Sequence, residues 1–429
     1  MTNGEHQIHL NLNVRGLPVS ATLGINEQSN KLIEDGQQVF KLGLGQSPFP
    51  VPAPVVRELQ NNAHQKDYLP VKGLPALRDA VAGYYRRTQG LSFRKEDILI
   101  GPGSKELMFI LQLVYYGDLA IPTPSWVSYA PQAHIIGRHV RWLPTEAKNN
   151  WLLTSAELEK LCAKDPSKPR IAILNYPNNP TGCSYSTEQL QALAETARKY
   201  KIILLSDEIY GELNFKGEHQ SIARYYPEGT IIASGLSKWA GAGGWRLGTF
   251  AFPAELDWLL EAMAVVASET FTATSAPIQY AAVSAFKGSA ELEHYLFQSR
   301  RILRSMAGWI WQRLTEAGVS VARPDGAFYM FPDFEAFRPQ LEARGIHNAK
   351  QLCQRLLDET GVAMLPGNCF GRPDQELTAR LAFVDFDGAR SLAAAEQVPA
   401  EQELDEGFLR QYTEKVLTAI ERVCVWLQA

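Results

Sequence analysis

Ile171-Ala172-Ile173-Leu174, the turn Asn175-Tyr176-Pro177-Asn178-Asn179-Pro180-Thr181-Gly182, the stretch Thr187–Tyr200 and the run Lys201-Ile202-Ile203-Leu204-Leu205 together decide the fold. The first and last are short continuous apolar runs, the pattern of strands buried on both faces of a parallel sheet. Between them, Leu190, Leu193, Ala194 and Ala197 recur at helical spacing on one face. Ser186 and Gln189 have the spacing of a capping box, which predicts where that helix starts. Strand, helix, strand is the unit from which α/β domains are built.

The same rhythm extends outward. Ile98–Ile100 precedes a helical stretch from about Ser104 to Val114, and Ile231–Ala233 reads as a further buried strand. The expectation is an α/β domain around a mostly parallel sheet. Toward the C-terminus the pattern changes: Leu292–Glu316 reads as one long helix, and Phe328–Phe331 and Leu381–Val384 as short strands flanking a helix at Ala349–Thr360. This predicts a smaller α+β part. Asp385–Glu406, rich in Ala, Glu and Asp, reads as a solvated insertion.

Composition narrows the function classes. The chain has 429 residues, 45% hydrophobic and 21% charged, with net charge -4. That length supports a large core and more than one domain. No basic stripe marks a nucleic-acid partner. The apolar runs are too short or interrupted to span a bilayer, and Met1–Leu17 lacks the apolar core of a signal peptide. A soluble cytoplasmic protein is expected. Cys162, Cys183, Cys353, Cys369 and Cys424 form no CxxC pair and read as reduced thiols; no metal site is expected.

In open α/β sheets ligands bind beyond the carboxyl ends of strands. Four such ends carry polar motifs: Gly101-Pro102-Gly103-Ser104-Lys105, Asn175 to Gly182, Ser206-Asp207-Glu208-Ile209-Tyr210, and Ser234-Gly235-Leu236-Ser237-Lys238 with Gly244-Trp245-Arg246-Leu247-Gly248 after it. Each alone is weak. Asn-Pro-Thr-Gly is usually only a turn. Asp207-Glu208 could end a nucleotide-hydrolysing strand, but no GxxxxGK[ST] loop accompanies it. Gly241–Gly244 is no GxGxxG fingerprint. Their meaning lies in occurring together and in order.

Together they resemble the class I/II aminotransferases of the aspartate aminotransferase type, fold-type I enzymes dependent on pyridoxal phosphate (PLP). The resemblance runs from about Leu17 to Val384, with a recognisable final helix near Phe408–Leu427. It also rests on Pro18 to Thr22, Leu42 to Gly45, Tyr68 to Arg78, Pro124 to Tyr129, and Pro324 to Tyr329. It implies a large domain (53–300) with a mostly parallel seven-stranded sheet between helices. A small domain would combine an N-terminal arm (1–52) with the C-terminal part (301–429).

The resemblance also implies residue roles. Lys238 would carry PLP as an internal aldimine and later act as the base for the proton shift. Asp207 would pair with the pyridine nitrogen, so that the ring can accept electrons. Asn179 and Tyr210 would hydrogen-bond the ring oxygen, and Trp126 would stack on the ring. Arg246, the backbone of Gly103, Ser104 and Lys105, and the hydroxyl of Ser237 would hold the phosphate. Relatives often carry serine three residues before the lysine; here that position is Gly235, which leaves the hydroxyl contact open. Tyr68 would reach the phosphate of a neighbouring subunit, implying a homodimer with shared sites.

Arg380 would grip the substrate α-carboxylate beside Gly45 and Asn179. Lys105 with Thr22 would either read a distal carboxylate, or Lys105 would face solvent or the phosphate. Tyr129, Phe49 and Phe328 would alternatively line an aromatic pocket. Gln46-Ser47-Pro48-Phe49-Pro50 departs from the acidic version usual after Gly45. The implied activity is transfer of an amino group from an L-amino acid to a 2-oxo acid in ping-pong half reactions. Other PLP chemistry (β-elimination of C–S lyase type, or decarboxylation) and a non-catalytic sensor are the competing readings.

Overall fold

A computed structural model describes residues 9–17 and 19–429; Pro18 and most of the segment read for a leader, Met1–Ile8, lie outside the described residues. The seven-stranded sheet consists of β1 (Ile98–Gly101), β2 (Asp118–Thr123), β3 (Val140–Pro144), β4 (Arg170–Asn175), β5 (Ile203–Asp207), β6 (Thr230–Gly235) and β7 (Gly248–Ala251). Their spatial order is β1-β7-β6-β5-β4-β2-β3. Strands β2 to β6 pair in parallel, and only β7 runs against its neighbours β1 and β6. β4, β5 and β6 are buried at every position, which is why they read as unbroken apolar runs.

The connecting helix Thr187–Lys199 starts as its sequence predicts. Ser186 accepts from the Gln189 amide, and Gln189 reaches back to Ser186 in a complete capping box. Helix Ser104–Val114 opens directly after β1 from Gly103, whose left-handed φ of 95° suits glycine and supplies no side-chain cap. Its first amides are therefore aimed at the carboxyl edge of the sheet.

The C-terminal part holds two small sheets. Phe40–Lys41 pairs in parallel with Val362–Ala363. Ala379–Ala382 lies antiparallel between Leu365–Pro366 and Tyr329–Met330. The long helix Ala290–Glu316 runs unbroken through position 300, where the sequence reading divided the chain. The final helix is two pieces, Glu406–Tyr412 and Glu414–Gln428.

One expectation is corrected. Within Asp385–Glu406, Gly388–Ala395 is a helix packed on Ala290–Glu316, with Ser391, Leu392 and Ala395 buried. Arg301, itself buried, donates to the carbonyls of Ala395 (3.2 Å), Val398 (3.0 Å), Pro399 (2.5 Å) and Gln402. The segment is docked, not solvated, because a distant cation caps its backbone. Among the described residues no helix is long and apolar enough to cross a membrane.

Candidate active site

A cavity of about 430 Å³ opens where β1, β2, β4, β5 and β6 end. The register sets its floor. Asn175 and Asp207 are direct partners at the ends of β4 and β5, and the Asn175 amide donates to the Asp207 carbonyl at 2.9 Å. Asn175 Oδ1 in turn accepts the Asn179 N–H at 2.7 Å, so the turn after β4 is tied to the end of β5.

Asp207 is buried, and its Oδ2 accepts the Tyr129 hydroxyl at 2.5 Å. Burial pushes its carboxyl pKa up to about 6 against the hydrogen bond from Tyr129. A carboxylate held this way is short of a positive partner. Lys238 follows β6 and lies half-buried in the same cavity, its Nζ donating to the Gly45 carbonyl at 2.7 Å. Burial first, then Arg380, pull its pKa down to about 8, with Asp207 opposing. The pocket thus pairs a poised amine with a buried acid.

At one rim Arg246 precedes β7. Because β7 runs backwards, its start, not its end, lies at the carboxyl edge. Arg246 has a left-handed backbone (φ 54°, ψ 54°), a conformation that a non-glycine residue keeps only where its surroundings impose it. Its guanidinium lies over Gly103, where a Cβ would overlap Nη2. Ser104, Lys105 and Ser237 line the same cavity. An uncapped helix start beside a guanidinium is an anion cradle. Gly235 is explained locally: a Cβ there would press on the Leu247 carbonyl across the strand pair.

Elsewhere in the pocket stands Arg380, with 1% of its surface exposed. It donates to Asn179 Oδ1 at 3.2 Å and to the Gly43 carbonyl, while its Nε is buried without a partner. Such a group awaits an acceptor.

The aminotransferase class I and II profile matches residues 37–387. The chain belongs to this family. The aminotransferase is 33% identical over 372 residues to an aspartate aminotransferase of Geobacillus stearothermophilus, covering 84% of this chain and 91% of that one. It is 31% identical to an asparagine–oxo-acid transaminase of Streptococcus mutans, covering 83% and 90%. Among solved structures it resembles the Thermus thermophilus aspartate aminotransferase with maleate, with TM-score 0.83 and 27% identity over 98% of this chain and 100% of that one. It is a PLP-dependent transaminase. The pocket fits that cofactor on its own terms, with an amine for the aldehyde, a buried acid for the ring nitrogen and a side-chain-free cradle for the phosphate.

The structure brings Thr22, Gly45, Ser104, Lys105, Trp126, Asn179, Asp207, Tyr210, Ser237, Lys238, Arg246 and Arg380 of the aminotransferase around one cavity. Gly103 lies behind it, under Arg246. Tyr68 is 92% exposed and lines no part of this pocket.

The aromatic-pocket alternative is corrected. Phe49 packs edge-on against Tyr295 and Phe386, Phe328 is buried beneath Tyr210, and Tyr129 is spent on Asp207. None of the three lines the cavity, because their rings point into the core. Sequence reasoning gave no role to Tyr329, Asn175 or Ile209, which do line it. Tyr329 stood inside the quoted Pro324 to Tyr329 motif, which was the available signal.

Proposed function

We propose that this aminotransferase draws its amino group from a dicarboxylic amino acid of the aspartate or glutamate class and gives it to a 2-oxo acid. The observation carrying this reading is that one cavity holds two cationic side chains besides Lys238 and Arg246: buried Arg380 and exposed Lys105, the latter sharing the pocket with Thr22. The names of the relatives support it, as does maleate, a dicarboxylate, in the Thermus structure.

PLP, when bound, supplies an aldehyde for an imine bond and a ring that accepts electrons. The chain's own residues do the rest. Lys238 Nζ would bind the aldehyde and, when free, would carry the proton from the donor's Cα. Asp207 would hold a proton on the ring nitrogen. Tyr210 and Asn179 would donate to the ring oxygen, and Trp126 would lie against the ring. Arg246, Ser237 and the amides after Gly103 would hold the phosphate. Arg380 takes the α-carboxylate as a planar fork, beside Gly45.

A donor panel with 2-oxoglutarate tests the substrate class. Lys105→Ala should lower kcat/KM for aspartate or glutamate by about 10-fold or more, the worth of a hydrogen bond to a charged group. Aromatic donors should lose no more than about threefold. Equal losses would reject the acidic reading and assign Lys105 to the phosphate.

The exposure of Tyr68 supports a homodimer in which Tyr68 serves the partner's phosphate. Light scattering should give a dimer, and Tyr68→Phe should weaken cofactor retention on dialysis by about 10-fold. A monomer that keeps its cofactor would overturn this.

A further inference from the structure

Tyr329 stands where three parts of the pocket meet. Its hydroxyl lies 2.8 Å from the Tyr210 hydroxyl, and either can donate. Its ring lies 4.8 Å from the Arg380 guanidinium, which Phe370 flanks at 5.1 Å. Gly45, whose carbonyl holds Lys238, leaves room for it: a Cβ on Gly45 would overlap the Tyr329 hydroxyl. One residue therefore touches the tyrosine facing the ring oxygen and the arginine facing the carboxylate, and abuts the loop that holds the lysine.

We propose that Tyr329 is a positioning residue that couples the two ends of the site, its hydroxyl orienting Tyr210 toward the cofactor's ring oxygen and its ring face fixing the plane of Arg380. This rests on the assignment of Tyr210 to the ring oxygen made above. A hydroxyl has one proton. If Tyr210 spends its proton on the ring oxygen, its own oxygen is left to accept, and Tyr329 is the donor in place at 2.8 Å, its other acceptor, the Gly45 carbonyl, lying at 3.5 Å. Donors in series polarise one another, so Tyr329 strengthens the Tyr210 contact without touching the ring oxygen. The charged and titratable groups around this cluster are Tyr210, Lys238, Asp207, Arg246, Arg380 and Cys369. Replacing the Tyr329 hydroxyl changes none of their formal charges.

The two functions separate by substitution. Tyr329→Phe keeps the ring over Arg380 and removes only the hydroxyl. Tyr329→Leu removes both. The readout is the pH titration of the visible absorbance of the cofactor-loaded enzyme without substrate, with kcat and KM measured alongside. Tyr329→Phe should raise the apparent pKa of that absorbance by about half to one pH unit, the size of one lost hydrogen bond. It should lower kcat more than it raises KM. Tyr329→Leu should in addition raise KM for the amino donor about 10-fold, as expected for loss of a desolvated cation–π contact.

Tyr210→Phe separates the possible failures. If Tyr210→Phe shifts the titration and Tyr329→Phe leaves it in place, the coupling is wrong while the Tyr210 assignment stands. If Tyr210→Phe shifts nothing, the underlying assignment fails and the proposal falls with it. With both hydroxyls removed, the shift should equal that of Tyr210→Phe alone; additive shifts would show independent action and overturn the proposal. The decision rests on the conservative phenylalanine variants, so it does not depend on how well the leucine variant folds.

Discussion

Lys238→Ala should give a protein with an unchanged thermal melt that forms no borohydride-reducible linkage to PLP and loses transaminase activity by at least about 10⁴-fold, since nucleophile and proton carrier go together. The cavity offers two amines, Lys238 and Lys105. Both have pKa values lowered by burial and by nearby arginines. Position separates them. Lys238 follows β6 between Asp207 and Gly45, whereas Lys105 is accessible in the first turn of its helix, beside Arg246. A reducible linkage that persists in Lys238→Ala and disappears in Lys105→Ala would move the attachment to the other amine and overturn the assignment. The pH behaviour follows from the same cause. Burial and Arg380 disfavour the ammonium and Asp207 favours it, with a net pKa near 8. In the cofactor-free protein, reductive labelling of Lys238 by a small aldehyde should climb between pH 7 and 9 and then level off. An ordinary lysine would still be climbing at pH 10.

Asp207→Asn should lower kcat by about 10²–10³-fold with little change in fold, because the amide keeps the shape and loses the charge. That is the range for removing one partner of a buried ion pair. The Tyr129 hydroxyl at 2.5 Å already occupies one carboxylate oxygen, and burial raises the acid to about 6 even though Lys238 pulls the other way. A protonated ring nitrogen would supply a cation in direct contact with the acid. The sign then fixes a pH effect. As pH falls through about 6 the cofactor-free carboxylate gains a proton, so affinity for PLP should weaken below that point and hold above it. Equilibrium binding from pH 5 to 8 measures this. An Asn variant within threefold of the parent in kcat would contradict the role.

Much of the site was legible because buried parallel strands announce themselves as apolar runs, and the residues that follow them fall at the edge where ligands sit. Asp207 and Lys238 could be located that way. Arg246 could not be placed by that rule, since it precedes an antiparallel strand; only the family spacing gave it. What stayed hidden depends on contacts between distant segments. Tyr129 reaches Asp207 only because β2 and β5 flank β4. Phe49 and Phe328 look like pocket aromatics in sequence, yet ring direction is set by packing against Tyr295, Phe386 and Tyr210. The pair Phe40–Lys41 and Val362–Ala363 is too short to leave a period-2 signal. The segment after Asp385 was misread for the same reason: its acidic, alanine-rich composition says nothing of Arg301.

That arginine bears on how the protein can be engineered. Shortening the chain between Val398 and Gln402, as one would trim a variable loop, would strand a cation inside the protein with three of its carbonyl acceptors gone. Tags, linkers or deletions placed there would be felt along the helix that carries Arg301, far from the cut itself. The exposed residues Gln428 and Ala429, which follow the buried Trp426 and Leu427, are the safer place for a fusion.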